Sequence, residues 1–267
     1  MKTGISTACF FCREYNENAV KEIAKLGICD IEIFFSAQME YQRSFTDELK
    51  RICSGEGIRV CAVHAMCTQF EPQLFSAHKR QADEALVVFD KVCDAAANLG
   101  AGIYVFHGPM NIKRARTLHI NYQYAGEKTA FLAERCKKSS VKLAYENVHW
   151  CWYHKPGFAQ ELLKNADTDN LYFTLDIKQA AQSGYEIADY IDDMGKKLAH
   201  IHVCDYTKDA NNKINPCLAF DGEMDWQGLK KKLSDFEGLM MLEVYPKDYQ
   251  TYHDLYENYL KVKNFFE

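Results

Sequence analysis

Leu143-Ala144-Tyr145-Glu146-Asn147 is an apolar run that closes on a carboxylate. An unpaired buried charge is expensive, so a strand ending on Glu146 needs a reason for it. Three later segments repeat the pattern. Phe173-Thr174-Leu175-Asp176 ends on Asp, Ala199-His200-Ile201-His202 on His, and Met240-Met241-Leu242-Glu243 on Glu. Four successive strand-like runs each deliver, at the same end, one side chain that can ligate a metal or move a proton.

Outward from these runs, the chain alternates short β-branched or aromatic stretches with longer amphipathic ones. The short runs are 4–11, 28–35, 58–64, 102–107, 142–147, 171–176, 198–203 and 239–245, eight in all. The connecting stretches 17–26, 46–56, 82–99, 121–138, 158–165, 184–194, 226–236 and 249–266 read as helices. In 82–99, Leu86, Phe89, Cys93 and Ala96 share one face, and Gly100 follows as a C-terminal cap. Eight β-then-α units over residues 1–267 predict an α/β fold, a single (β/α)8 TIM barrel forming one domain. An open doubly wound sheet is the alternative. It calls for a Gly-rich phosphate loop after the first strand, which Thr7-Ala8-Cys9-Phe10 is not.

Barrel chemistry sits at the C-terminal strand ends. The four runs above end there, and Ala62-Val63-His64 and Val105-Phe106-His107 end on His. Six of eight tips therefore carry a ligand-type or general-base residue. Glu146, Asp176, His202 and Glu243 are expected to converge. Three carboxylates in contact must be partly protonated or held by a cation. A mostly oxygen site with one imidazole suits one divalent metal ion, Mn2+, Mg2+ or Co2+, with Zn2+ also admissible. The competing reading is four unrelated polar residues capping strands or pairing with Arg and Lys.

His200, two residues from His202 on the same strand face, reads as a hydrogen-bonded core histidine. His64 and His107 are candidates for substrate contact, or else satisfied structural histidines. Lys178 and Gln179 follow Asp176 and are placed on the rim, where they would touch substrate. Asp205, three residues after His202, would orient a ligand or contact metal or substrate. Within His149-Trp150-Cys151-Trp152-Tyr153, Trp152 is the candidate stacking wall, with a plain hydrophobic plug as the alternative.

Composition is that of an ordinary globular protein, 48% hydrophobic and 26% charged, with a formal net charge of −5. An acidic balance argues against a nucleic-acid partner. No apolar run approaches the roughly 18 residues of a membrane span, and the N-terminus lacks a signal-peptide pattern. A soluble, cytoplasmic protein without membrane contact is expected. The eleven Cys are scattered singly through apolar segments and read as small core residues in a reducing compartment. Cys9-Phe10-Phe11-Cys12 has redox or zinc spacing, but it lacks a second pair and an obvious helix start, so a structural role is expected. Self-association into a homodimer stays open.

At these residues the chain resembles the xylose isomerase-like TIM-barrel superfamily, particularly its sugar phosphate isomerase/epimerase branch. The similar positions lie in Ala-Tyr-Glu146-Asn, Thr-Leu-Asp176-Ile-Lys-Gln, His-Ile-His202-Val-Cys-Asp205, Leu-Glu243 and the loop Phe220-Asp221-Gly222-Glu223-Met224-Asp225-Trp226. The resemblance implies that Glu146, Asp176, His202 and Glu243 bind one divalent metal and that Glu146 and Glu243 double as an acid/base pair. It further implies isomerisation or epimerisation of a ketose or sugar phosphate through a metal-stabilised enediolate. The same site could dehydrate a keto-sugar or keto-inositol, or serve a non-catalytic sugar-binding barrel. One departure matters. Many relatives carry His three residues after the Asp, where this chain has Gln179. That argues against the multi-metal cluster of the AP-endonuclease branch.

Overall fold

The computed structural model describes residues 1–111 and 119–267. Its centre is a closed barrel of eight parallel strands. These are β1 (Lys2–Ser6), β2 (Asp30–Phe34), β3 (Arg59–His64), β4 (Ile103–Phe106), β5 (Lys142–Glu146), β6 (Leu171–Asp176), β7 (Leu198–Val203) and, after a two-stranded excursion, β10 (Leu239–Leu242). They pair in chain order, and β10 closes the ring between β7 and β1. The excursion is an antiparallel hairpin of β8 (Asp205–Lys208) and β9 (Ile214–Cys217).

Nine α-helices are found among the described residues: α1 (Asn16–Lys25), α2 (Arg43–Gly55), α3 (Lys79–Leu99), α4 (Tyr122–Lys138), α5 (Phe158–Asn165), α6 (Ile177–Ser183), α7 (Ile187–Met194), α8 (Trp226–Lys232) and α9 (Tyr252–Phe266). The expected (β/α)8 barrel is the one observed. Several boundaries shift by a few residues, and two of the differences bear on the site. The first strand was expected at 4–11 but ends at Ser6, because the Ser6 hydroxyl accepts the Ala8 N–H and turns Thr7–Phe10 into a 3-10 helix. The strip after Asp176 is helical at once, since that carboxylate accepts the Gln179 N–H and caps α6.

Strand alternation sends successive side chains to opposite faces. On β5, Leu143 and Tyr145 face the helices, where the Tyr145 ring meets Phe106 and Phe158 at 5.2 Å each. Ala144 and Glu146 face inward. Low in the barrel the lining is apolar: Ala62, Ile103, Val105 and Ala144 form a cluster separate from the strand–helix core. Towards the C-terminal strand ends it becomes ionisable. Glu32, His64, Glu146, Asp176, His200 and His202 are all buried there.

Candidate metal and catalytic centre

Four of the strand tips meet at one imidazole nitrogen. His202 Nδ1 lies 3.2 Å from Glu243 Oε2, 3.4 Å from Glu146 Oε1 and 3.9 Å from Asp176 Oδ2. None of these contacts is aligned as a hydrogen bond, and the facing atoms His202 Nδ1 and Glu243 Oε2 are both buried without a hydrogen-bonding partner. A buried polar atom left unpaired costs about 1–3 kcal/mol, so a group of them facing one point needs a compensating charge. Three carboxylate oxygens and one imidazole nitrogen form a donor set that fits a divalent cation.

Local structure fixes each donor. The Asn147 side chain accepts the Asp176 N–H at 2.8 Å and donates to the Asp176 carbonyl at 3.0 Å, tying the tip of β6 to that of β5. Asp176 Oδ1 is held by α6, which leaves Oδ2 for the centre. Behind His202, its Nε2 lies in hydrogen-bonding contact with Glu32 Oε2 at 3.1 Å. Lys178 is buried beside the carboxylates, its Nζ 3.4 Å from Glu243 Oε1 and 3.5 Å from Asp176 Oδ2, and it stands 4.5 Å from the centre of the Tyr245 ring.

The two remaining tip histidines approach Glu146 from the other side. His107 Nε2 is 2.6 Å and His64 Nε2 3.8 Å from Glu146 Oε2, and the two rings share a hydrogen bond of 2.8 Å between their Nε2 atoms. Burial and the neighbouring His107 charge push His64 down to about 4. Burial works against the charge on His107 as well, but Cys67 and Glu146 raise it well above the usual histidine range. A hydrogen bond between the two rings needs only that one Nε2 carries the proton and the other accepts it. For Glu146, burial opposes ionisation, yet His107 and His202 outweigh it and hold the carboxyl well below the usual range. Asp176 is pushed up to about 6 by burial, which Lys178 only partly offsets against Glu146 and Glu243.

Three sequence expectations do not join this cluster. Asp205 is spent on its own loop: Oδ1 accepts the N–H groups of Tyr206 and Met224, and Oδ2 those of Gly222 and the Trp226 indole. Trp152 packs edge-on against Phe75 at 5.5 Å, on the margin of the core, while Trp150 stands edge-on to His107 at 5.9 Å. Gln179 reaches back to the loop after β5, its Oε1 accepting the His149 N–H at 3.2 Å. Cys9 is buried between the Leu242 carbonyl and the Val244 N–H, and Cys12 is exposed, so the C-x-x-C spacing brings no thiol pair together.

Two fully buried carboxylates beside the site, Glu32 and Glu71, carry no expectation from the sequence. Glu32 lies inside Ile31-Glu32-Ile33, a lone charge within an apolar strand rather than at its tip. The signal was the same oddity, one turn of the pleat deeper. Glu71 gives none, because it opens a short 3-10 helix, Glu71–Phe75, outside the strand and helix periodicities. Its Oε2 accepts the N–H groups of His107 and Gly108, and its Oε1 the Tyr104 hydroxyl.

Comparison with known proteins agrees with the fold. The profile described as xylose isomerase-like TIM barrel matches residues 20–259. The chain belongs to this family. Among solved structures similar to this xylose isomerase-like barrel is D-psicose 3-epimerase from Clostridium cellulolyticum H10, crystallised with D-tagatose, at 19% identity and TM-score 0.79, covering 100% of this chain and 98% of that one. The IOLI protein with a bound zinc atom is similar at 17% identity and TM-score 0.81, covering 100% and 98%. A probable 3-DHS dehydratase from Bacillus anthracis is similar at 14% identity and TM-score 0.75, covering 99% of each. These likenesses show the fold. An uncharacterized protein of Mycobacterium bovis is 23% identical over 226 residues, 77% of this chain and 75% of that protein.

Proposed function

We propose that the protein is a divalent-metal-dependent isomerase or epimerase acting on a ketose or sugar phosphate through an enediolate. The observation that carries this reading is the placing of Glu146 and Glu243. They approach His202 Nδ1 from β5 and from the end of β10, the strands that flank the β6–β7 pair on either side. Two carboxylates so placed can address opposite faces of one substrate carbon. Kinship of fold with a 3-epimerase and with a zinc-binding barrel supports the same reading.

A cation held by Glu146, Asp176, His202 and Glu243 would supply Lewis acidity towards adjacent carbonyl and hydroxyl oxygens. The protein's own groups do the rest. One glutamate removes the proton between those oxygens, and the other returns a proton to the opposite face, which inverts the carbon. Return at the neighbouring carbon gives the isomer. Such general-base transfer contributes roughly 10²–10⁴-fold. The Lys178 ammonium, wedged beside Glu243 and Asp176, balances negative charge where it develops. His64 and His107 would contact substrate oxygens. Gln179, bound to the His149 N–H, would line the rim. If the enediolate expels a neighbouring hydroxyl instead, the outcome is dehydration, a second reading favoured only by the likeness to the probable dehydratase.

Proton exchange tests the proposal. Protein reconstituted with Mn2+ or Mg2+ is incubated in D2O with free and phosphorylated ketoses, and C–H loss is read by mass and NMR. Exchange that disappears in Glu146→Gln and Glu243→Gln is expected, with product mass separating epimerisation from dehydration. Full metal occupancy without exchange on any substrate would sink the enolising reading.

A further inference from the structure

One buried carboxylate has no part in that chemistry. Glu32 is fully enclosed in the barrel, and no apolar strand carries such a charge without a partner worth its desolvation. Its two histidine partners lie on a strand that is not its neighbour, since β1 and β10 stand between β2 and β7.

Several features of the chain build this crossing. The β2–β3 ladder pairs Ile31 with Val60 and Glu32 with Ala62, so Cys61 is skipped right where the carboxylate turns inward. The β6–β7 ladder pairs Phe173 with Leu198 and Thr174 with His200, skipping Ala199 just before the two histidines. Irregularities of this kind re-aim side chains. Between them, β1 carries Gly4, where a Cβ would collide with the Asp30 carbonyl and the Met241 sulfur. Ser6 then orients the carboxylate. Its Oγ accepts the Ala8 N–H, and its own hydrogen is donated to Glu32 Oε1 at 2.9 Å.

The remaining oxygen, Oε2, lies 3.1 Å from His202 Nε2 in hydrogen-bonding contact and 2.9 Å from His200 Nε2. An ionised carboxylate only accepts, so it selects an N–H on His202 Nε2. A neutral ring carrying its proton there has its lone pair on Nδ1, the atom that faces Glu146, Asp176 and Glu243. We infer that Glu32 is a positioning residue: it sets the tautomer and ring plane of His202, so that Nδ1 is the nitrogen offered to the cation. This rests on the metal reading above. A carboxylate behind a ligating imidazole also raises its basicity, and loss of such a partner weakens metal binding by about 10–100-fold.

The test measures binding of Mn2+ and Zn2+ to the metal-stripped full chain by calorimetry, with His202→Ala and Glu32→Gln beside the unaltered protein. A glutamine can turn its NH2 towards Nε2 and thereby select the wrong tautomer. The expected result is tight binding by the unaltered protein, loss in His202→Ala, and binding about 10–100-fold weaker in Glu32→Gln at unchanged circular dichroism. Loss in His202→Ala with Glu32→Gln binding as the unaltered protein does would overturn the role of Glu32 alone. Equal binding by all three would overturn the ligand set and the inference together. A second measurement needs no variant. In the Zn2+-loaded protein, ring-nitrogen NMR should show a slowly exchanging His202 N–H at Nε2, and finding that proton on Nδ1 refutes the inference.

Discussion

Glu71 shows how one residue's setting becomes a property of the whole protein. Three donors favour its ionised form, but complete burial dominates and pushes the carboxyl up to about 7. Its folded value therefore exceeds the ordinary 4.5, and the folded state holds a proton that the unfolded state releases between those pH values. The stabilisation is fully present below about 4.5 and is lost as pH rises through about 7, a contribution of up to about 3 kcal/mol. Urea unfolding at pH 5 and pH 8 should show this decline in the unaltered protein and a flatter profile in Glu71→Gln. Equal pH slopes in the two proteins would remove Glu71 as the cause. Lys178 makes a different point. It read as a rim residue, and the fold buries it between two carboxylates. Lys178→Met should lower turnover by at least about tenfold while leaving metal binding equal or tighter, since a competing cation is removed; assays of both quantities check this.

At the scale of elements, most of what the periodicity implied is present, and the additions are local. The β8–β9 hairpin was not anticipated, because β-branched content there is low and Asn211, Asn212 and Pro216 read as turn residues. Asp205 organises that segment. Its four acceptor contacts pin the Gly222–Trp226 turn, and Gly222 is needed because a Cβ would strike the Asp205 carboxylate and the Tyr206 carbonyl. Asp205→Ala strands several buried donors and should cost about 3 kcal/mol, read by urea unfolding, with faster proteolysis of 218–226. Metal affinity should hardly change. A large loss of metal with intact stability would instead return Asp205 to the centre.

For the whole molecule, the proposed donor set would tie folding to metal. Glu146, Asp176 and His202 lie on three separate strands and Glu243 just beyond a fourth, so the set comes together only when the barrel is closed. A cation bound only by the folded state stabilises by about 2.7 kcal/mol at a hundred times its Kd. For a chain of this size that is a rise in Tm of roughly 5–10 °C. Thermal melts with and without Mn2+ should show it in the unaltered protein and not in Asp176→Asn. An unshifted midpoint in the unaltered protein would remove the metal.

By itself, the order of residues determined the eight alternations of strand and helix, and it placed acids and histidines on the strand tips. Both are local in sequence: a period of two or of 3.6, and a polar residue closing an apolar run. Which of those residues meet was decided only by closure of the ring. Closure turns Glu32 across two intervening strands onto His202 and folds Asp205 away into its own turn. It sets Trp150, rather than Trp152, against His107. A contact between residues 170 positions apart leaves no local mark, because its energy comes from shared desolvation and geometry that exist only once both strands line one interior.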